Sequence, residues 1–456
     1  MAEVMARSFA TRLVSSVLFP IHEQLKGHLS VRLRRELERT QWLDADRLLQ
    51  LQVQRLRNFL IEAGRSVPYY TDLFLRHDFD PATVNCVADL QRLPLLDKAG
   101  IRTNVAKLKS VEAGRLLRYN TGGSSGEPLV FYMGMGRVTH DVAAKWRATR
   151  WWGVDVGDPE VVLWGSPIEI GSQDRVKRIR DKLFRSHLLP AFQMSHERMD
   201  RYIGAIQRIR PRMMFGYASA LALLAEHARS RGIALDRLGV RVCFATGETL
   251  YPAQRQSIEK VFGAPVANGY GSRDAGFIAH ECPQGSMHLS AEHIVVELIG
   301  ADGQPVAPGT QGEIVTTHMA TGDFPFIRYR TGDLAVMGLR PCVCGRGLPV
   351  LEQVLGRSTD FIRTQTGNAM HALALIYEVR DKPGVRSFKF IQAEDLSLEL
   401  QIVAGPELND EVEEAIRAGL LARMGEGAAI TLRKVAEIPP EKSGKYRYVV
   451  SKAPAL

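Results

Sequence analysis

The stretch from residue 161 to residue 270 constrains this chain more than any other, because strand-like and helix-like patterns alternate through it. Residues 161–165 (Val-Val-Leu-Trp-Gly) form a short apolar run of the kind that makes a buried strand. A helical repeat follows at 199–209, a strand at 213–216, a helix at 218–231 and a strand at 240–245. A helix at 252–262 and a strand at 266–270 complete the series. Strands apolar on both faces need cover on both sides, and helices of this length supply it. The pattern predicts a mainly parallel sheet between helical layers. After Gly276 the pattern changes. Residues 293–299, 312–317 and 333–337 carry strand patterning separated by Gly and Pro turns, which predicts an antiparallel β region. Beyond residues 356–360 comes helix, strand, strand, helix, strand. The expected fold class is α/β: a large N-terminal domain (1–356) of layered α/β plus antiparallel β, and a small C-terminal α+β domain (357–456).

One segment fits neither helix nor strand. Residues 119–128 read Tyr-Asn-Thr-Gly-Gly-Ser-Ser-Gly-Glu-Pro. Gly costs backbone entropy in either element, and Ser and Thr divert hydrogen bonds to their own backbone. Thr121, Gly122, Gly123, Ser124, Ser125 and Gly126 suit a loop that wraps an anion with amides and hydroxyls. The alternative is a solvated turn between two strands.

The chain of 456 residues is long enough for one large and one small core. Its net charge of +9 is spread along the whole length. That charge suits an anionic small molecule, an anionic membrane or nucleic acid, and no clustering points to nucleic acid. Five cysteines, an odd number, argue against a disulfide framework and for a reducing, cytoplasmic setting. No apolar run reaches about 18 residues, the length a membrane span needs. Near the N-terminus Phe9, Leu13, Val17 and Ile21 recur every four residues, with Arg12 interrupting. This reads as an amphipathic helix packed on the core rather than a signal peptide, with peripheral membrane contact as the alternative.

Five segments, in order, resemble the motifs of the adenylate-forming (acyl-CoA synthetase-like) superfamily, and within it the phenylacetate–CoA ligase-like branch. They are residues 121–128; 245–252 (Ala-Thr-Gly-Glu-Thr-Leu-Tyr-Pro); 268–274 (Asn-Gly-Tyr-Gly-Ser-Arg-Asp); 329–333 (Tyr-Arg-Thr-Gly-Asp); and 356–360 (Gly-Arg-Ser-Thr-Asp) followed by 443–445 (Ser-Gly-Lys). The long basic N-terminal helices look closer to the capsular-polysaccharide-associated subgroup of that branch. The resemblance implies that 121–126 hold the phosphates of ATP and that Gly247 and Glu248 lie beside adenine. It implies that Asn268, Gly269, Tyr270 and Gly271 close the acyl-adenylate site. Asp333 would accept the ribose hydroxyls, Arg357 would offer planar donors to ribose or phosphate, and Asp360 would mark a hinge. Asp274 stands where the family has Glu and would serve the Mg²⁺ that ATP carries. Lys445, with Lys442 as its rival, would neutralise charge building on the α-phosphate. Trp164, Gly165, Tyr217, Ser219, Tyr270 and Gly276 are the candidate walls of a pocket for a carboxylic acid, the two tyrosines being equally suited to a core.

Cys282, His288, Cys342 and Cys344 bracket the antiparallel region. Three thiols and an imidazole are enough to close a tetrahedral structural Zn²⁺ site, and some relatives carry a similar set. The spacing alone leaves free thiols open, and His293 is a rival ligand. Cys86 and Cys243 read as buried apolar residues.

Three functions are in play. The first is adenylation of a small-molecule carboxylic acid followed by transfer to CoA. The second is adenylation with another acceptor, an amine, hydroxyl or carrier thiol. The third is a nucleotide-binding homologue without turnover. Homodimerisation is left open.

Overall fold

The parallel and antiparallel halves form one continuous sheet. The computed structural model describes residues 8–120, 129–164, 175–191, 194–357, 361–364, 369–371, 373–380, 382–425, 427–439 and 448–453. Two strands, β1 (Leu117–Asn120) and β2 (Val130–Met133), pair as an antiparallel hairpin with Asn120 opposite Val130. The Gly/Ser segment 121–128 connects them and lies outside the described residues, as do Gly165, Asp360, Lys442 and Lys445. The strands that follow are β3 (Glu160–Trp164), β4 (Ser186–Pro190), β5 (Met213–Gly216), β6 (Val242–Thr246), β7 (Val266–Ser272) and β8 (Gly276–Glu281). Then come β9 (Met287–Leu289), β10 (Ile294–Ile299), β11 (Gln311–His318), β12 (Tyr329–Met337) and β13 (Val350–Arg357).

These strands, β3 to β13, make an eleven-stranded sheet in the order β10-β11-β12-β13-β9-β8-β7-β6-β5-β3-β4. From β7 to β4 the pairing is parallel, and β7 pairs with β8 antiparallel. The change of sense has a local cause. A tight turn at 273–275 returns the chain beside β7, which needs no crossover helix. β4 had no strand signal in the sequence. It is short, only half-buried and ends at Pro190, all marks of an edge strand.

The chain divides into two compact units, residues 1–300, 304–331 and 335–354, and residues 301–303, 332–334 and 355–456. In the larger unit, helices Met199-bearing His196–Ile209, Ala218–Ser230 and Pro252–Phe262 cover the parallel strands around Leu163, Met214, Leu221, Ile258 and Phe262. The smaller unit has a four-stranded sheet. β16 (Val385–Gln392) and β17 (Leu398–Ala404) are antiparallel at its centre, β18 (Ile430–Lys434) and β19 (Val449–Ser451) flank them, and a two-stranded ladder of β14 (Phe361–Arg363) and β15 (Ala369–His371) precedes it. Helix Asp410–Met424 is capped by the Asn409 side chain accepting from Val412 N at 3.0 Å, and buries Ile416 and Leu420.

Two expectations fail. The N-terminal residues Phe9, Leu13, Val17 and Ile21 face outward, because Thr11, Val14 and Phe19 are the ones that dock. Cys86 is exposed, at the start of the short 3₁₀ helix Val87–Arg92, while Cys243 is fully buried on β6.

Candidate active site

Parallel strands present their carboxyl ends to one edge of the sheet, and most of the expected site residues stand there. Trp164 ends β3, Tyr217 follows β5, and Gly247 and Glu248 follow β6. The Trp164 and Tyr217 rings stack with centroids 4.2 Å apart and planes 24° from parallel. Gly247, at φ +79°, closes against this pair. A Cβ there would stand 3.2 Å from Tyr217 Cε1 and 3.3 Å from Trp164 Cη2. Glu248 accepts from Ser219 N at 2.9 Å, so its carboxylate caps the first turn of helix Ala218–Ser230. Of the expected set, Trp164, Tyr217, Ser219, Gly247 and Glu248 therefore form one cluster.

A second cluster forms where β7 turns into β8. Glu281 fixes β7 by accepting from Asn268 N at 2.7 Å while also accepting from Arg255 Nη2 at 2.7 Å. Gly269 lies against Phe244, and Tyr270 packs on the core partly buried. At Gly271 a Cβ would lie 2.2 Å from Gly276 O, a backbone atom that cannot move aside. Gly271→Ala is expected to cost about 2 kcal/mol through overpacking of this hairpin, measured as a lowered denaturation midpoint.

Asp274 sits in the turn and is buried. Its Oδ1 accepts from Ser272 Oγ at 2.6 Å and its Oδ2 from Tyr329 Oη at 2.5 Å. Burial pushes this carboxyl up, but those two hydrogen bonds and the charge of Lys98 outweigh it and hold its pKa below the ordinary value. The turn is anchored from behind by Arg137, buried on helix Met135–Trp151. Arg137 donates from Nη1 to Asp274 O at 3.3 Å, from Nη2 to Arg273 O at 3.2 Å, and from Nε to both Asp141 oxygens at 3.0 Å. Gly276, at φ +94°, lets the strand pass over this support, since a Cβ would meet His318 Nε2 at 2.9 Å and Arg137 Nη2 at 3.1 Å.

Tyr329, Ser272 and Arg137 were not singled out from the sequence. Tyr329 opens the motif that ends in Asp333, so its place in that motif was the available signal. Arg137 had none, because only the fold carries a residue of that helix to the turn. Asp333 is half-buried in β12, after Gly332 at φ +77°, in the short segment 332–334 that groups with the smaller unit. Arg357 ends β13.

His140, Asp141 and His318 also bring ligand-type atoms within 4.8 Å of one another. They are not arranged for a cation. Ala320 N donates to His318 Nδ1 at 3.3 Å, which leaves the proton of the neutral ring on Nε2, and Arg137 already holds Asp141. Burial and Arg137 keep the His318 pKa well below the ordinary value.

The cysteine–histidine set does converge. The ligand atoms of Cys282, His288, Cys342 and Cys344 lie within 4.8 Å of one another. Cys282 Sγ and Cys342 Sγ are 3.7 Å apart, far beyond a disulfide bond. Two Zn–S bonds of about 2.3 Å at the tetrahedral angle place sulfurs about 3.8 Å apart, so this spacing fits a shared metal. His288 Nδ1 is 3.1 Å from Leu348 O, a pure acceptor, so Nδ1 carries the proton and the Nε2 lone pair faces Cys344 Sγ at 3.2 Å. Pairing of β9 with β13, Val350 opposite His288, holds the imidazole beside the loop that carries Cys342 and Cys344. Without a metal, burial pushes the Cys282 thiol up to about 11. His293 takes no part, since it lies against Arg55 and His140.

Comparison with known proteins agrees with this geometry. Residues 184–321 match a family model described as AMP-binding enzyme, and residues 362–452 match the CapK C-terminal domain. Protein CapK of Staphylococcus aureus is 23% identical over 408 residues, covering 89% of either chain. A phenylacetate-coenzyme A ligase of Thermus thermophilus is 24% identical over 451 residues, covering 90% of this chain and 97% of its own. The solved structure of 2-hydroxyisobutyryl-CoA ligase with 2-HIB-AMP in the postadenylation state shares the fold at a TM-score of 0.73 and 20% identity, covering 90% of both chains. An amide bond synthetase, McbA of Marinactinospora thermotolerans, shares it at 0.51 and 18% identity, over 72% of this chain and 66% of that one. No helix among the described residues is long and apolar enough to cross a membrane. Over about nine-tenths of its length the chain is thus similar to CapK and to a phenylacetate–CoA ligase, with an AMP-binding enzyme region followed by a CapK C-terminal domain, which supports a place among the adenylate-forming enzymes.

Proposed function

We propose that the chain activates a small-molecule carboxylic acid with ATP and passes the acyl group to the thiol of CoA. In the first step a carboxylate oxygen bonds to the α-phosphorus and the bond to the bridging oxygen breaks. The electron pair leaves with pyrophosphate, and acyl-AMP remains. In the second step the thiol sulfur bonds to the acyl carbon, the bond from that carbon to the phosphate oxygen breaks, AMP leaves with the electron pair and the thiol proton passes to solvent.

The observation that carries this reading is Asp274: a carboxylate kept ionised in a buried turn at the strand ends, in the motif the resemblance assigns to ATP. Each of its oxygens accepts one hydrogen bond and keeps lone-pair capacity, which fits a Mg²⁺ held by one carboxylate and phosphate oxygens. When bound, Mg²⁺ supplies charge neutralisation to the phosphates. On this reading Thr121 to Gly126 hold the leaving phosphates, Asp333 and Arg357 the ribose side, and Lys445 the charge building at the α-phosphate. The stacked Trp164 and Tyr217 give the acid a flat apolar wall.

Release of AMP from ATP, acid and CoA tests the acceptor. The proposal expects release that needs both acid and CoA. Acyl-AMP that accumulates and is not discharged by CoA would assign the thiol step elsewhere. An amide bond synthetase among the fold neighbours makes an amine acceptor the second reading.

We assign Cys282, His288, Cys342 and Cys344 to a structural Zn²⁺. The closed set of four leaves no position for substrate, which separates it from catalysis. Cys342→Ser is expected to lower zinc affinity by more than about 100-fold and to lower the melting temperature. Elemental analysis of both proteins checks this, and wild-type protein without stoichiometric zinc would sink the assignment.

A further inference from the structure

The N-terminal helical segment presents a continuous apolar stripe to solvent. It runs as α-helix Phe9–Leu13, π-helix Val14–Leu18 and α-helix Phe19–Leu25. Phe9, Leu13, Val17, Ile21 and Leu25 are between 42% and 84% exposed, at every fourth residue. In a straight α-helix a four-residue spacing drifts by about 40° per step. The wider π turn in the middle winds against that drift and keeps the stripe on one side.

The stripe is not free to roll inward, because the other face is locked to the body. Thr11 Oγ1 donates to Asp158 Oδ1 at 2.9 Å, and Val14 lies so close to Gly157 that a Cβ there would be 2.5 Å from Val14 Cβ. Phe19 packs edge-on to Trp146 and Phe184, with centroids 6.4 and 5.8 Å away. Phe184 ends the turn after helix Arg175–Leu183, whose Ile179 and Leu183 are exposed too. The two helices therefore meet at Phe19 and Phe184, and each leaves apolar side chains exposed to solvent.

Charge decides what covers it. Residues 8–35 contain Arg12, Lys26, Arg32, Arg34 and Arg35 and a single carboxylate, Glu23. Glu23 is buried and turned inward, accepting from Ser30 Oγ at 2.5 Å. Arg12, Lys26, Arg32 and Arg35 are exposed, as is Lys182. Residues 175–185 add six basic residues against one acid, Asp181. A second copy of the chain would bring like charges against like charges. An anionic lipid surface meets both features at once, taking the exposed apolar side chains between its headgroups and the cations at their phosphates.

We propose that residues 9–25, together with the exposed side of helix Arg175–Leu183, form a docking surface for an anionic membrane. The test is co-sedimentation of the full chain with vesicles of phosphatidylcholine alone and of phosphatidylcholine mixed with phosphatidylglycerol. Binding is expected to the mixed vesicles and to weaken as salt rises. The double variant Leu13→Glu, Ile21→Glu is expected to lower the bound fraction about tenfold at an unchanged melting temperature, both residues being exposed. Lys26→Glu with Lys182→Glu is expected to weaken binding to the mixed vesicles. Wild-type protein that stays in the supernatant with both vesicle types, or a Leu13/Ile21 variant that binds as well as wild type, would overturn the proposal. So would a dimer that ignores vesicles and that the same variant converts to monomer.

Discussion

Lys445→Ala is expected to lower acid-dependent ATP–pyrophosphate exchange about 10³-fold, with little change in the affinity for ATP. The proposed work of Lys445 is to meet charge that develops on the α-phosphate only as the carboxylate attacks. A group of that kind contributes to the transition state and little to the ground state, so the loss falls on the rate constant. A thousandfold loss corresponds to about 4 kcal/mol of transition-state stabilisation. The effect is expected to be confined to the first step. Acyl-AMP supplied ready-made is expected to react with CoA at close to the wild-type rate, because no new charge then builds on the phosphate. Equal loss in both steps would instead mark a lysine needed for the integrity of the C-terminal unit. Lys442→Ala serves as the comparison and is expected to leave both steps near wild type.

Asp274→Asn is expected to lower the same exchange about 10²-fold and to raise the Mg²⁺ concentration needed for half-maximal rate. Two separate losses combine here. The amide has no charge to offer a cation. It also cannot accept from both neighbours, because its nitrogen faces either Ser272 Oγ or Tyr329 Oη, both of which now donate to the carboxylate. A buried donor left without an acceptor costs about 1–3 kcal/mol, so the melting temperature is expected to fall as well. Tyr329→Phe separates the two losses, since it keeps the carboxylate and removes one donor. It is expected to change the exchange rate only a few-fold while weakening the depression of the Asp274 pKa. The sign of the pH dependence follows from that depression. A carboxyl whose pKa is lower in the folded chain stabilises the fold above its unfolded value, and that stabilisation is lost as pH falls through the folded value. Asp274 is therefore ionised throughout the neutral range, and any loss of activity between pH 6 and 8 would have to come from another group.

The sheet was legible in the sequence where strands were apolar on both faces. β3, β5, β6 and β7 emerge within two residues of the runs that predicted them, because nothing but burial suits such runs. β4 was invisible because a half-buried edge strand has no face to declare. The N-terminal stripe was misread for a related reason. A spacing of four marks one face of a helix but does not say which side the protein occupies, and here the body takes the side of Thr11, Val14 and Phe19. In the candidate site, glycines and carboxylates stood out by composition and order. Their supports did not. Arg137 holds the Asp274 turn from 137 positions away in the chain, and such a contact exists only once helix and hairpin have packed. The cysteine–histidine set lay between these cases. Its residue types were visible, while the convergence of Cys282 and His288 with Cys342 and Cys344 depends on β9 pairing with β13.

Adenylation of a carboxylate is reversible, so ATP–pyrophosphate exchange reads it without the second step. The wild-type chain, with ATP and Mg²⁺ and without CoA, is measured against a panel of aromatic and aliphatic acids. Labelled pyrophosphate is expected to enter ATP only when a suitable acid is present. Exchange absent with every acid, from protein that still binds ATP, would rule out adenylation and leave a nucleotide-binding protein without turnover.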